Sequence, residues 1–298
     1  MIDRRTFLAA AAAALPVACS GTLSEPQANQ AAIADADARF EAIRSTLGPG
    51  GRIGVAAIHT GSGRRLLFDA GSRYPLASTF KLPLAAMVLA EAEAGRLRLD
   101  EELPFAPEDP LDNSPIVAAN LGRGRLAVEP LAAAIVVRSD NSAANMLLRR
   151  LGGPPALTRF MRAAGDPITR LDRYEMELGT NLPGDPRDTT TPSAMAGLVR
   201  TLVVGNRLSL ASRARLVEWL TTSVPGADRL RSGLPADWRF GHKTGTASNG
   251  GVNDVGIAWP PGRAPIVIAS YQSGGTAGMP ARAAAHAAVG RLVAEMFG

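Results

Sequence analysis

Arg239-Phe240-Gly241-His242-Lys243-Thr244 returns the chain to a strand pattern after a long helical middle, and that return decides the fold. Two more strand patterns follow, Gly251 to Trp259 and Ala264 to Tyr271, before a final helix from about Pro280 to Phe297. The other end of the chain mirrors this. Gln27 to Leu47 is alanine-rich with apolar residues at helical spacing, and Gly48-Pro49-Gly50-Gly51 stops it. Arg52 to Thr60 and Arg64 to Ala70 then read as two strands joined at Gly61-Ser62-Gly63. Between the two ends, from Thr79 to about Thr222, helical periodicity dominates, most clearly at Leu84–Ala94, Glu129–Val137, Asn141–Leu151 and Pro192–Val204. The pattern predicts an α/β (α+β) protein with a five-stranded antiparallel sheet flanked by the N- and C-terminal helices, plus an all-helical lobe. The α/β lobe spans residues 26–72 and 222–298 and the helical lobe 73–221, with the active site at the seam, where pockets prefer to form.

Composition narrows the function. The chain has 298 residues, enough for one large core, and no internal repeat or mature transmembrane run. Its net charge of +5 comes from scattered single arginines rather than a run or helical stripe, which argues against nucleic acid. One cysteine allows neither a zinc-thiolate cluster nor an intrachain disulfide, and no metal or other cofactor is expected. The three histidines offer little: His59 lies in a strand pattern and His286 in an alanine-rich helix, while His242 adjoins Lys243 and could line a site. Of 32 basic residues only Lys81 and Lys243 are lysine. A lysine kept where arginine is the habit suggests a need for an amine that can lose its proton, since guanidinium stays charged.

Residues 1–25 read as an address. Asp3-Arg4-Arg5-Thr6-Phe7-Leu8, followed by the apolar run Leu8–Ala18, resembles a twin-arginine signal, so export to the periplasm is expected. Leu15-Pro16-Val17-Ala18-Cys19-Ser20 resembles a lipoprotein processing site, although Pro16 is poor at a position usually held by leucine. Cleavage elsewhere nearby is the alternative. A lipid on Cys19 would be the only tie to a membrane.

Three short motifs carry the chemistry. Ser78-Thr79-Phe80-Lys81 opens a helix, placing Ser78 and Lys81 one turn apart on one face; a serine nucleophile needs a base, and a neutral amine can serve. Alone, the same pattern describes a serine cap and a solvent-facing lysine. Ser139-Asp140-Asn141 interrupts the helices; its hydroxyl can relay a proton and its amide can donate and accept, yet it also fits a plain helix cap. His242-Lys243-Thr244-Gly245-Thr246 offers a cation for an anionic group and a glycine permitting close approach, or simply an edge strand.

Together, in this order and on these elements, the motifs resemble the serine penicillin-recognising enzymes, and both lysines of the chain fall within them. Arg173-Tyr174-Glu175-Met176-Glu177-Leu178 further resembles the omega loop of class A β-lactamases, which runs from an arginine to an aspartate that pair, here 173–188 with Arg173 and Asp188. The resemblance implies hydrolysis of penicillin- and cephalosporin-type antibiotics by a monomer, giving resistance. Ser78 would be the nucleophile, Lys81 its base, Ser139 the proton donor to the lactam nitrogen, and Glu175 the group activating water. Backbone N–H groups of Ser78 and Thr246 would form the oxyanion hole. Asn141, Lys243, Thr244, Gly245, Thr246 and Arg229 would bind substrate.

Three positions depart from the family pattern. Gly179 stands where many members have a water-holding asparagine, Asn113 where an aromatic often walls the entrance, and Ala77 where carbapenem-hydrolysing relatives often carry a cysteine. A penicillin-binding D-Ala-D-Ala peptidase is the nearest rival reading; it would need no deacylating carboxylate, nor would a non-catalytic β-lactam sensor. A small-amide hydrolase shares the fold but is disfavoured by the long loop.

Overall fold

The computed structural model describes residues 25–298, and side chains from residue 35 onward. The export segment and Cys19 lie outside the described residues. In chain order the first elements are α1 (Glu25–Ser45), β1 (Arg52–His59), β2 (Arg65–Phe68) and β3 (Tyr74–Pro75). A 3₁₀ turn at Ala77–Phe80 runs directly into α2 (Lys81–Glu93), followed by β4 (Glu102–Pro104), α3 (Pro115–Ala119) and β5 (Arg125–Ala127). Next come α4 (Val128–Val137), α5 (Asn141–Arg150), α6 (Gly153–Ala163), β6 (Thr189–Thr190), α7 (Pro192–Val203) and α8 (Leu210–Thr221). The chain ends with α9 (Leu230–Gly233), β7 (Arg239–Thr246), β8 (Val252–Trp259), β9 (Ile266–Ser273) and α10 (Met279–Phe297).

The sheet is the expected one. Its five strands run in the order β2-β1-β9-β8-β7, every pairing antiparallel, so β1 from the start of the chain hydrogen-bonds β9 from its end. Side-chain parity then sorts each strand onto two cores. Ile53, Val55 and Ala57 of β1, with Ile266 and Ile268 of β9, join Phe40 of α1 and Val289, Leu292 and Val293 of α10. Ala56 and Ile58, with Val267, Ala269 and Tyr271, join α2, α4, α5 and α7. Both faces are therefore covered, and for that reason the long strands read as continuous apolar runs with buried interiors.

Two features go beyond the sequence reading. In the helical middle, α7 lies against β1 and β9, and α8 against β7, so these helices supply the second cover of the sheet. Two short ribbons, β3 with β6 and β4 with β5, were not anticipated, because two- or three-residue strands leave no periodicity. On the outer side α9 meets α10 through glycine; a Cβ on Gly233 would fall 1.8 Å from Ala287 O.

His286 ties α10 to the sheet. A carbonyl can only accept, so Nε2–H donates to Val252 O at 3.1 Å and Nδ1 accepts from Ser270 Oγ at 2.9 Å. Burial pushes its pKa down to about 4, so the folded state binds the neutral ring. That contribution is fully present above the unfolded-state value of ~6.5 and is lost as pH falls toward the folded value, amounting to ~3 kcal/mol in all. Urea unfolding at pH 7.5 and 4.5 should show a smaller acid loss for His286→Gln than for the unaltered chain. Equal losses would remove His286 from the acid response.

Candidate active site

Ser78 sits on the 3₁₀ turn that leads into α2. Ala77 before it has φ 43°, a left-handed conformation uncommon for alanine that bends the chain sharply at this point. The turn is pinned from several sides. Leu76 N–H donates to Asp188 O at 2.8 Å, Asn253 Nδ2 to Pro75 O at 2.8 Å, and Thr79 Oγ1–H to Leu76 O at 2.6 Å. Strand β7 presses against it. A Cβ on Gly245 would lie 3.0 Å from Ala77 Cβ and 3.1 Å from Ser78 N, so the close approach that glycine permits here is made by the protein's own backbone.

Lys81, three residues on, is wholly buried. Its Nζ lies 3.0 Å from Ser78 Oγ, 2.9 Å from Ser139 O, 2.5 Å from Asn141 Oδ1 and 3.0 Å from Glu175 Oε1. Burial pushes the Lys81 ammonium below the usual amine range, against the opposing pull of Glu175. Ser139, held at φ 58°, places its Oγ 3.5 Å from Lys81 Nζ and 3.0 Å from Lys243 Nζ. Lys243 is also fully buried, and burial, then the facing charges of Lys81 and Arg229, pushes it well below the amine range. Asp140 caps α5 by accepting from Ala143 N–H at 2.9 Å, and it accepts from Ile116 and Val117 N–H at the start of α3. The cap reading and the site reading of Ser139-Asp140-Asn141 are thus both satisfied: the middle residue caps while its neighbours face the cleft.

Glu175 arrives on the loop 173–188. At the neck, Arg173 Nε donates to Asp188 Oδ2 at 2.6 Å, and Asp188 Oδ1 accepts from Asp172 and Arg173 N–H. Both side chains are largely buried, Asp188 completely. Glu175 itself is held by Asn145, whose Oδ1 accepts from Glu175 N–H at 3.0 Å and whose Nδ2 donates to Glu175 O at 2.9 Å. The Glu175–Met176 peptide is cis. The Glu175 carboxylate is 6% exposed and lies 3.4 Å from Ser78 Oγ.

These groups surround a cleft of about 580 Å³ between the loop, the β7 edge and the helical side. Ser78, Ser139, Asn141, Glu175, Arg229, Thr244, Gly245 and Thr246 all line it, while Lys81 and Lys243 lie beneath its floor. Arg229 is buried as a brace, donating to Gly245 O, Asn253 O and Thr246 Oγ1 at 3.0, 2.8 and 3.0 Å. His242 does not join them. Its ring is engaged by Asp254, 2.8 Å distant, and packs on Phe240. Ala77, Asn113 and Gly179 border the cleft; Asn113 Nδ2 donates to Ser139 O at 3.0 Å, and a Cβ on Gly179 would meet open space.

Sequence reasoning missed Asn145 and Met176. Asn145 follows Asn141 by one helical turn, so a polar residue at that spacing beside apolar neighbours was the available signal. Met176 Sδ accepts from Asn141 Nδ2 at 3.1 Å, and the other Asn141 N–H goes to Asp112 O at 2.8 Å. A ligand carbonyl reaching Asn141 must therefore displace the thioether. Among the described residues no group of three or more His, Cys, Asp or Glu is arranged to hold a metal ion, and no helix is long and apolar enough to cross a membrane.

Residues 37–297 match the profile of the Beta-lactamase enzyme family. The chain is 45% identical over 273 residues to β-lactamase AST-1 of Nocardia asteroides, covering 90% of this chain and 87% of that one. It is 39% identical to β-lactamase L2 of Stenotrophomonas maltophilia over the full length of both. A solved structure of an ancestral (GNCA) class A β-lactamase superposes with a TM-score of 0.85 at 49% identity, covering 88% of this chain and all of that one.

The neck pair generates a test. Asp188→Ala strands a mostly buried guanidinium and two backbone N–H groups, a change that costs ~3–5 kcal/mol. Limited proteolysis should then cut within 173–188 faster, and urea unfolding should show the loss. A variant as resistant as the unaltered chain would mean that the pair is not what holds the loop.

Proposed function

Because the chain belongs to the class A serine β-lactamase family, and so hydrolyses β-lactam antibiotics and confers resistance to them, we propose that it works through an acyl-enzyme on Ser78 released by water that Glu175 directs. One observation carries this reading: Ser78 Oγ lies between Lys81 Nζ at 3.0 Å and Glu175 Oε1 at 3.4 Å. An ammonium has three protons, and Lys81 has four oxygen neighbours within 3.0 Å. Of those four, only the Ser78 hydroxyl can itself donate, so its proton is directed at the amine or at the carboxylate.

The steps follow from the geometry. Ser78 Oγ attacks the lactam carbonyl as its proton passes to Lys81, where burial disfavours the ammonium and so favours the neutral amine that can accept it. The lactam C–N bond breaks, and the nitrogen takes the Ser139 hydroxyl proton, which Lys81 replaces with the one it took from Ser78, while Lys243 holds Ser139 Oγ. The carbonyl oxygen is held by the N–H groups of Ser78 and Thr246. Thr244, Thr246, Lys243 and Arg229 bind the substrate carboxylate, and Asn141 its amide. Water between Glu175 and the ester then attacks the acyl carbon, giving its proton to Glu175, and that proton returns to the departing Ser78 oxygen through Lys81, which lies 3.0 Å from both. Atoms 3.4 Å apart can both accept from, or be approached by, one water at ordinary hydrogen-bond distance.

A peptidase that merely forms a penicilloyl adduct shares the first half of this scheme. The Glu175 carboxylate beside Ser78 favours turnover instead. Stopped-flow hydrolysis of a chromogenic cephalosporin should show Glu175→Ala acylating and then stalling, with turnover reduced by ~10²-fold or more and a stable adduct on Ser78 by mass spectrometry. Ser78→Ala should form no adduct. Turnover by Glu175→Ala at the original rate would defeat the assignment.

We also propose export in folded form through the Arg4-Arg5 signal, with a working monomer of about residues 26–298 in which the lobe 26–72 and 222–298 meets the helical lobe 73–221. Changing both arginines to lysine should strand active precursor in the cytoplasm, assayed by fractionation. Normal export of that variant would exclude the twin-arginine route.

A further inference from the structure

Gly179, Thr180 and Asn181 follow the Glu175 turn, and their three successive carbonyls lie outside any helix or strand ladder, apart from the 3₁₀ end at Gly179. All three are met by the turn between β7 and β8. Ser248 donates to Gly179 O from both N–H (2.9 Å) and Oγ (2.7 Å), and Oγ also reaches Thr180 O at 3.2 Å. Asn249 Nδ2 lies 3.2 Å from both Thr180 O and Asn181 O. The bonding is reciprocal: Asn181 Nδ2 reaches Ser248 O at 3.1 Å, Asn249 O at 2.8 Å and Ser273 Oγ at 3.1 Å. Asn181 and Asn249 adopt φ of 44° and 50°, left-handed values that asparagine tolerates better than most residues.

Packing does not explain why this segment stays in place. The cleft lies on one side of it, lined by Gly179, Thr180 and Ser248. A second cavity of about 520 Å³ lies on the other, lined by Asn181, Asn249 and Ser273 among others. The wall between the two is the polar clasp itself. Beyond it the loop continues as Leu182-Pro183-Gly184, half to fully exposed, and closes through the Arg173–Asp188 neck. Glu175 is held by Asn145 and Lys81, its neighbour Met176 by Asn141, and the chain that follows by buried Leu178, by Arg173 at Thr180 Oγ1 and by the clasp.

We infer that Asn181 is a positioning residue for deacylation: through the clasp it holds the Glu175 turn at the distance from Ser78 that a shared water requires, and it couples that turn to the strand bearing Lys243 and Thr246. The inference rests on the proposed role of Glu175. The clasp touches neither Lys81 nor Ser139, and where the Glu175 turn shifts, Lys81 keeps Ser78 Oγ, Ser139 O and Asn141 Oδ1, one partner for each of its three protons. Losing the clasp therefore slows release of the ester and leaves its formation nearly intact.

Asn181→Gly keeps the left-handed backbone accessible and removes only the side-chain bonds. With a chromogenic cephalosporin in single-turnover and quench-flow measurements, deacylation should fall about ten- to a hundredfold. Acylation should change by less than about twofold, so KM falls together with kcat, as it does when the second step alone is slowed. Asn249→Gly removes the opposite side of the clasp and should give the same split, so the test survives if one variant folds poorly. In the background of Glu175→Ala, Asn181→Gly should slow deacylation no further. Acylation and deacylation falling together, neither changing, or an additive loss in the double variant would each overturn the inference. The split between acylation and deacylation in the single variants does not depend on how Glu175→Ala alone behaves, which separately tests the role of the carboxylate.

Discussion

Burying an amine costs several kcal/mol unless its protons find partners, and Lys81 finds them on three separate parts of the chain. Ser78 comes from the 3₁₀ turn, Ser139 from the α4–α5 connection, Asn141 from α5 and Glu175 from the loop. The Ser78 turn, the Ser139–Asn141 segment and the loop are not set relative to one another by local structure alone. The demand that one ammonium be satisfied away from water does much of that setting. The apolar core brings the elements to the right neighbourhood; the buried amine narrows it to hydrogen-bond distances, because any displaced partner leaves a charge in low dielectric. What stabilises the seam is the same set of contacts that prepares Ser78.

The division between arginine and lysine follows from this. Where the fold needs a fixed charge it uses guanidinium: Arg173 closes the loop neck on Asp188, Arg229 braces two carbonyls and a hydroxyl along β7 and β8, and Arg282 donates to carbonyls of Gly250, Gly274, Gly275 and Ala277. A planar fork with several protons suits multiple carbonyls. The two lysines stand instead on either side of the Ser139 hydroxyl, both wholly buried and both shifted toward the neutral amine. Guanidinium could hold the same oxygens, but it could not give and take a proton there.

Much of this was legible beforehand, and the limits have physical causes. The five-stranded sheet could be read because long strands and helices carry their periods over many residues. The motif residues could be read because each is a reactive group at fixed spacing from another. The Arg173–Asp188 neck was visible only through resemblance, since nothing local links residues fifteen apart. His242 stands next to Lys243 but outside the cleft, because its ring is taken up by Asp254 on the neighbouring strand, a cross-strand partner that sequence adjacency does not reveal. Asn145, Asn181 and Asn249 escaped notice for a different reason: an asparagine that bonds backbone carbonyls across the fold looks, in sequence, like any loop or helix polar residue. The covering of the sheet by α7 and α8 was hidden likewise, because an apolar helix face does not say which surface it meets.

Strand β7 explains why the site lies where it does. It is the last strand of the sheet, so one side pairs with β8 while the other has no strand beside it. An unpaired edge is a hazard, since it invites any extended chain to add on. Here the Ser78 turn is pressed against that edge at Gly245, and the loop with Glu175 and the Ser248–Asn249 turn close over its end. The edge is left open only along a cleft the width of a small ligand. That cleft, about 580 Å³ beside β7 and Ser78, is of a size for a compact ligand. Protection of the edge and recognition of a small substrate are therefore one steric arrangement, and a looser fit at Gly245 or at the clasp would weaken both together.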